Sequence, residues 1–317
     1  MRTERSSSGR SGPLPILGLA LLIVVTACTV LLGQAWTGPH AATPAASVTD
    51  ASSTTPDVTP ASSSRAPSAP AVTMTSVAAV ATPAVLTSTL AQLGVAGTVS
   101  VAAYDLTDGD ELTAGGGTYD TASIVKVDIL VSLLVQRNGS LTSAQKSLAR
   151  SMITVSDNDA ATTLFQTIGS TAGLNRTNKQ LGLVETSAGT NGNWGLTRTT
   201  ATDQLRLLKL VFVPNQVLSD ASRSYVVSLM SAVSQDQHWG ISAASDDPDD
   251  TPLKNGWLQR SATALWDVTS IGRVDAHGHL VLVVVLVTSA RTMGGGVSTI
   301  EMAAKGAVAK LIAASGA

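Results

Sequence analysis

Ser123 and Lys126 stand three positions apart at the start of an apolar run, Val125 to Val135, just after the turn-rich Gly115-Gly116-Gly117. At helical spacing both side chains point to one side of a first turn. A serine hydroxyl is a weak nucleophile until a base takes its proton, and a neutral lysine amine beside it can serve. Burial or a neighbouring cation keeps such an amine deprotonated. The start of a helix adds N–H groups and positive potential, which favour the negative charge that develops in acyl transfer. Thr121 is placed to cap that helix. Ser-x-x-Lys also recurs by chance in a serine-rich chain, so a capped surface helix is the competing reading.

Two later stretches change the balance: Ser156-Asp157-Asn158 and Lys254-Asn255-Gly256. Ser-x-x-Lys, Ser-Asp-Asn and Lys-Thr-Gly together form the signature of class A β-lactamases and penicillin-binding proteins, and the three stretches here follow that order. The run Met152 to Ala161 also resembles the class A helix that carries the family's second serine. From about Pro83 to Ala317 the chain is therefore identified as resembling a class A β-lactamase-like serine hydrolase. The resemblance implies Ser123 as nucleophile and Lys126 as its activating amine. It implies Ser156 as proton relay to the leaving nitrogen, and Asn158 as the residue that binds substrate and orients Lys126. Asp157 is expected to cap the next helix. Lys254 would bind the substrate carboxylate and lower the Lys126 pKa, with Asn255 and Gly256 beside the substrate. The backbone N–H groups of Ser123 and Trp257 would form the oxyanion hole.

The chain departs from that family in two places. Asn255 stands where Thr or Ser is usual. The Glu-x-x-Leu-Asn loop, whose Glu activates the deacylating water, is absent: Leu183 to Arg198 holds only Glu185, a possible substitute base or an exposed loop glutamate. Thr197 to Ala201 still match the family's entry to its next helix. The gap between Ser123 and Ser156 is also shorter than usual, which implies a trimmed helical lobe.

The rest of the domain supplies elements to hold these residues. Ala84 to Leu93 reads as a short helix, Thr98 to Leu106 as a strand, Thr107-Asp108-Gly109-Asp110 as a hairpin turn and Glu111 to Thr113 as the returning strand. Helices are expected over Ser143–Ser151, Asp159–Ile168, Ala172–Leu181, Thr202–Val213 with Thr199-Thr200 at its cap, Ser219–Val233 and Ser298–Ala314. Ala262–Asp275 and Leu280–Thr288 read as strands around the Ala276-His277-Gly278 turn, the second apolar enough to be covered on both faces. Strands at both ends with helices between them predict an α+β fold. Its antiparallel sheet comes from N- and C-terminal strands flanked by helices, with a separate helical lobe and a cleft between the two.

Other polar residues read as structural. His277 and His279 are expected on an exposed turn, with no carboxylate or cysteine cluster to make a metal site. Asp246, Asp247, Asp249 and Asp250 read as a solvated loop. A Ser-His-Asp triad is not expected, His238 being the only other candidate histidine in the domain. Trp194, Trp239 and Trp257 are expected to line the cleft and Trp266 to pack in the core. No metal and no cofactor is predicted.

The 317 residues are 44% hydrophobic and carry a net charge of −2, which gives no electrostatic footprint for nucleic acid. The single cysteine excludes an internal disulfide framework. Residues 1–12 are basic, with Arg2, Arg5 and Arg10, and residues 13–35 contain the apolar run Leu14 to Leu32. That pattern predicts a cytoplasmic N-terminus, a membrane anchor and an external domain. Val25-Thr26-Ala27-Cys28 also resembles a lipobox, and a cleaved signal is the third possibility. Residues 36–82 read as a disordered Ala/Thr/Ser/Pro tether and 83–317 as the folded domain, expected as a monomer. Its substrate would be a small molecule or peptidoglycan-like, a β-lactam or D-alanyl peptide. The alternatives are a D,D-peptidase-like enzyme and a non-catalytic cell-envelope binding protein on the same fold.

Overall fold

An apolar strand near the C-terminus, buried along most of its length, is the spine of the sheet. The computed structural model describes residues 85–94 and 98–315. In chain order come β1 (Val85–Ser88), β2 (Val99–Asp105), β3 (Glu111–Gly115), β4 (Tyr119–Asp120) and α1 (Val125–Gln136). Then follow α2 (Ser143–Thr154), α3 (Asn158–Thr167), α4 (Ser170–Leu181), β5 (Arg198–Thr199), α5 (Ala201–Phe212) and α6 (Asp220–Met230). The chain closes with β6 (Leu253–Gln259), β7 (Trp266–Ala276), β8 (His279–Ala290) and α7 (Met293–Ser315). The main sheet runs β1-β3-β2-β8-β7-β6, antiparallel except for the β1–β3 pair.

Val281 to Val287 of β8 are buried, and α7 and α5 both pack against the strand. Coverage on both faces is why its sequence is apolar without alternation. The helical lobe forms around α1, which is buried continuously from Val125 to Leu134, with α2, α3, α4 and α6 against it. A helix with apolar residues on every face must be enclosed in this way, even though it also carries Lys126, Asp128 and Ser132. Local signals set the surrounding helix starts. Thr142 and Gln145 form a reciprocal capping box before α2, and Thr200 and Ser219 cap α5 and α6.

Three expectations need correction. The Ala84–Leu93 stretch is not an α-helix: Val85–Ser88 pairs in parallel with β3, and only Leu90–Leu93 turns, as a 3₁₀ helix capped by Thr89 and Gln92. The edge of β3 offered backbone partners to residues with extended preference, and that outweighed the local amphipathic pattern. Thr121 does not cap α1. It has helical dihedrals and no capping bond, because the chain enters α1 through the continuous 3₁₀ turn Ala122–Ile124. His279 is half-buried, not an exposed turn residue. The β2–β8 pairing brings it to Asp105, whose Oδ2 lies 2.7 Å from His279 Nδ1, with Asp108 Oδ2 at 3.4 Å. Ligand atoms of these three residues lie within 4.8 Å of one another, so a carboxylate cluster does join one histidine of the turn. The buried Asp105 also accepts from the Thr107 amide, which fixes the hairpin.

The apolar run Leu14 to Leu32, Cys28, the 36–82 tether and Ala84 lie outside the described residues. Among the described residues no helix is long and apolar enough to cross a membrane.

Candidate active site

The entry to α1 is held by a two-stranded sheet on one side and by β6 and β7 on the other. Tyr119 and Asp120 of β4 pair with Thr199 and Arg198 of β5, and the Thr121 amide donates to Thr197 O at 2.9 Å. The buried Asp120 carboxylate is paired with Arg198 and Arg260, and Arg260 Nε also reaches Asp267 Oδ2 at 2.7 Å. Thr269 Oγ1 of β7 donates to the Thr121 carbonyl at 2.9 Å. Ser123 is thus presented, half-buried, on a turn clamped from both directions.

Gly256 shows how close β6 comes. A Cβ there would stand 2.6 Å from the Ser123 amide nitrogen, 2.7 Å from Thr269 Oγ1 and 2.9 Å from the Thr121 carbonyl. Only glycine fits this approach, which lays the edge strand against the backbone N–H of Ser123. Trp257 follows on the same strand, half-buried, its ring edge-on to Trp239 at 5.7 Å between centroids.

Lys126 is fully buried one turn after Ser123. Its Nζ lies 2.6 Å from Ser156 O, 2.9 Å from Ser156 Oγ and 2.8 Å from Asn158 Oδ1. Burial lowers its pKa to about 8, while the Asp157 charge pulls the other way. With two N–H groups on Ser156 O and Asn158 Oδ1, a neutral amine has its lone pair free to accept from the Ser156 hydroxyl. Among the described residues no hydrogen bond joins Ser123 to Lys126, and catalytic contacts of this kind often tighten only around substrate. Ser156 has φ +56°, a left-handed conformation that costs a serine about 1–3 kcal/mol. It is held there by Lys126 and by Asp157, whose carboxylate accepts from the Asp159 and Ala160 amides to cap α3.

Lys254 of β6 is also fully buried. It donates to Asn255 O at 2.9 Å and approaches Gln237 Oε1 at 3.5 Å. Burial, and secondarily repulsion from Lys126, push its pKa well below the usual lysine value. Asn255, expected beside substrate, is turned inward. Its Nδ2 donates to Gln237 O at 2.7 Å and Trp239 O at 2.9 Å, and its side chain is enclosed next to Gly240. An amide with two donors can tie β6 to the 237–239 segment in a way a hydroxyl cannot. Gln237 contacts both Lys254 and Asn255, yet lies 17 and 18 residues upstream with no motif to mark it.

Leu183 to Arg198 forms the remaining wall. Glu185 is exposed, and the loop holds it at the start of α5: its amide donates to Asp203 Oδ2 at 2.8 Å, and its carboxylate lies 3.4 Å from Thr200 Oγ1. Trp194 is what this loop presents to the site, with its ring centroid 5.0 Å from Lys126 Nζ and its Nε1 donating to Thr162 Oγ1 of α3 at 3.1 Å. Trp266 is half-buried against the core.

Known proteins share this fold. The profile of the β-lactamase enzyme family matches residues 137–313, more than half of the chain, a span that includes Ser156, Asn158 and Lys254 and follows Ser123 and Lys126. None of the curated proteins matches the chain. Among solved structures, TLA-3 extended-spectrum β-lactamase superposes with a TM-score of 0.60 at 17% identity, over 68% of this chain and 94% of that one. PBP-A superposes with 0.58 at 19%, over 68% and 90%, with the same figures for a variant solved as its acyl-enzyme complex with penicillin G. A class A β-lactamase from Bacteroides cellulosilyticus gives 0.58 at 17%, over 68% and 92%. These neighbours share the fold, and the family match adds the lineage: the chain belongs to the β-lactamase enzyme family, as a β-lactamase-like serine hydrolase.

Proposed function

We propose that the protein is an exported enzyme that forms an acyl-enzyme on Ser123 with β-lactams or D-alanyl amides and releases it slowly. In the acylation step Ser123 Oγ bonds to the carbonyl carbon while its proton passes to the Lys126 amine. The oxyanion rests on the Ser123 and Trp257 amides. When the C–N bond breaks, the nitrogen takes a proton from Ser156, which Lys126 resupplies. The observation that carries this reading is the buried Lys126 amine, its pKa lowered to about 8, in direct contact with Ser156 and Asn158. Lys254, at its place on β6, is the residue assigned to the substrate carboxylate. Slow release follows from the loop that holds Glu185 against Thr200 and offers an indole to Lys126. The N-terminal apolar run, as an anchor or as a lipoprotein signal at Cys28, would tether a monomeric domain outside the cell.

The test is mass spectrometry of the purified full-length protein after exposure to penicillins and cephalosporins. A covalent adduct on Ser123, absent from Ser123→Ala, is expected, with a burst of about one equivalent of chromogenic cephalosporin before a slow steady rate. A clean spectrum across both drug classes would leave the non-catalytic envelope-binding reading in its place.

A further inference from the structure

Between α5, α6 and β7 lies a cavity of about 400 Å³ that none of the acylation residues lines. Val211, Phe212, Pro214 and Val227 give it an apolar wall, Ser224 and Ser228 add hydroxyls, and two guanidinium groups face it, Arg223 and Arg273. They are not equivalent. Arg223 is neutralised by Asp220 at 2.5 Å and also donates to Leu218 O at 2.9 Å. Arg273 is half-buried and stacks over the Phe212 ring, its guanidinium carbon 5.5 Å from the centroid. Its Nε is buried without a hydrogen-bond partner, and among the described residues no carboxylate lies within ion-pair distance of it.

The end of α5 does not supply the missing acceptor. Leu210 O and Val213 O, the carbonyls nearest that end with side-chain donors, both accept from Asn215 Nδ2 at 2.8 Å. A guanidinium cannot relieve its burial by losing a proton, so a half-buried one normally has an anion or acceptor oxygens on its fork. The ring of Phe212 offsets part of the charge but leaves the buried Nε–H unmet. Ligand sites have this composition: apolar walls with one oriented charge, in a volume of roughly 300–1,000 Å³.

We propose that this cavity binds a small organic carboxylate with an apolar body. The carboxylate lies on the Arg273 fork, and the aromatic or aliphatic part packs on Phe212, Val211 and Val227. One unpaired guanidinium matches one negative charge in bidentate geometry. A phosphate monoester, with nearly two charges, would need a second cation, and Arg223 is already neutralised by Asp220.

The test is titration calorimetry of the purified full-length protein with 4-phenylbutyrate, cinnamate and octanoate, and with 4-phenylbutanamide as the uncharged control. One-to-one binding is expected for at least one acid, with affinity falling roughly 10–100-fold in Arg273→Gln, the range of a charge-assisted hydrogen-bonded pair. The amide should bind no better than the acid binds to Arg273→Gln. Affinity should be unchanged in Lys254→Met, which separates this cavity from the carboxylate site of the acylation cleft. If Arg273→Gln does not fold, Val227→Trp fills the cavity from α6 and should abolish binding. The inference is overturned if no acid saturates the protein below about 10 mM, a level near the weakest specific ligands. Equal binding of acid and amide, or retention of binding in both cavity variants, would also overturn it.

Discussion

The two sides of Lys126 are built from different materials. Toward α3 the amine meets Ser156 and Asn158 through three contacts of 2.6–2.9 Å, on a segment whose strained serine is clamped by its neighbours. Toward the 182–197 loop it meets the face of an indole. The first side can pass protons; the second can only exclude water and stabilise a cation. Acylation needs the first side alone, whereas deacylation needs a base that holds a water molecule against the ester. The contrast separates two half-reactions that efficient turnover must couple, and the proposed slow release rests on the loop side.

Removing Lys126 breaks the comparison at its stronger side. In Lys126→Met the acylation rate with a reporter cephalosporin should fall by about 10²–10⁴-fold, the usual contribution of a general base, with the fold retained by circular dichroism. In the wild type the acylation rate should rise with pH and level off above about 8, because the neutral amine is the active form and burial brings its pKa there. Stopped-flow acylation from pH 6 to 9.5 reads this directly. An acylation rate in Lys126→Met close to that of the wild type would assign the proton to another group.

What the sequence made legible follows from which interactions are local. Ser123 and Lys126 are one turn apart, and Asp157 caps the helix it precedes, so short-range spacing was enough to find them. The apolar β8 and α1 announced burial through composition, and the α+β layout followed. Gln237 and Thr269 were not legible, because each reaches the site through pairing with β6 or with the Thr121 turn, far along the chain. Asn255 was legible as a departure but not as an inward-turned tie, since orientation depends on the carbonyls of Gln237 and Trp239. The Asp105–His279 contact was missed for the same reason: strand register creates it.

A second buried ionisable group on α1 sharpens the contrast between partnered and unpartnered polarity. Asp128, two residues after Lys126, is fully buried, and its oxygens have no hydrogen bond of good geometry. Burial raises its pKa from 3.8 to about 7; Asn178 and Ser132 offset this in part, and Asp203 adds to the rise. The folded state therefore holds a proton that the unfolded state has lost between about pH 4 and 7. Stability should fall as pH rises through that window and level off above 7. Asp128→Asn removes the penalty. At pH 8 it should stabilise the protein by an amount on the order of 2–4 kcal/mol, at about 1.4 kcal/mol per pKa unit, and it should flatten the profile between pH 4 and 7. Urea unfolding at pH 5 and pH 8 measures both, and an unchanged pH profile in the variant would remove Asp128 as its source.

The smallest expected effect is the most informative about the loop. Glu185 is the loop's carboxylate, and the family's chemistry tempts one to make it the deacylating base. Its contacts argue otherwise: the side chain is exposed, its carboxylate is directed to Thr200 Oγ1, and its amide is fixed by Asp203. A general base must reach the attacking water within hydrogen-bond distance, and the group this loop turns toward Lys126 is Trp194. Glu185→Gln keeps the size and the hydrogen bond to Thr200 while removing the charge. Burst amplitude and steady-state rate should both stay within about twofold of the wild type, far from the 10²–10⁴-fold loss expected for removal of a working base. If the burst survives while the steady rate collapses, Glu185 is the deacylating base. The loop would then have to close over the site from its position on α5, making the two sides of Lys126 functionally equivalent despite their different composition.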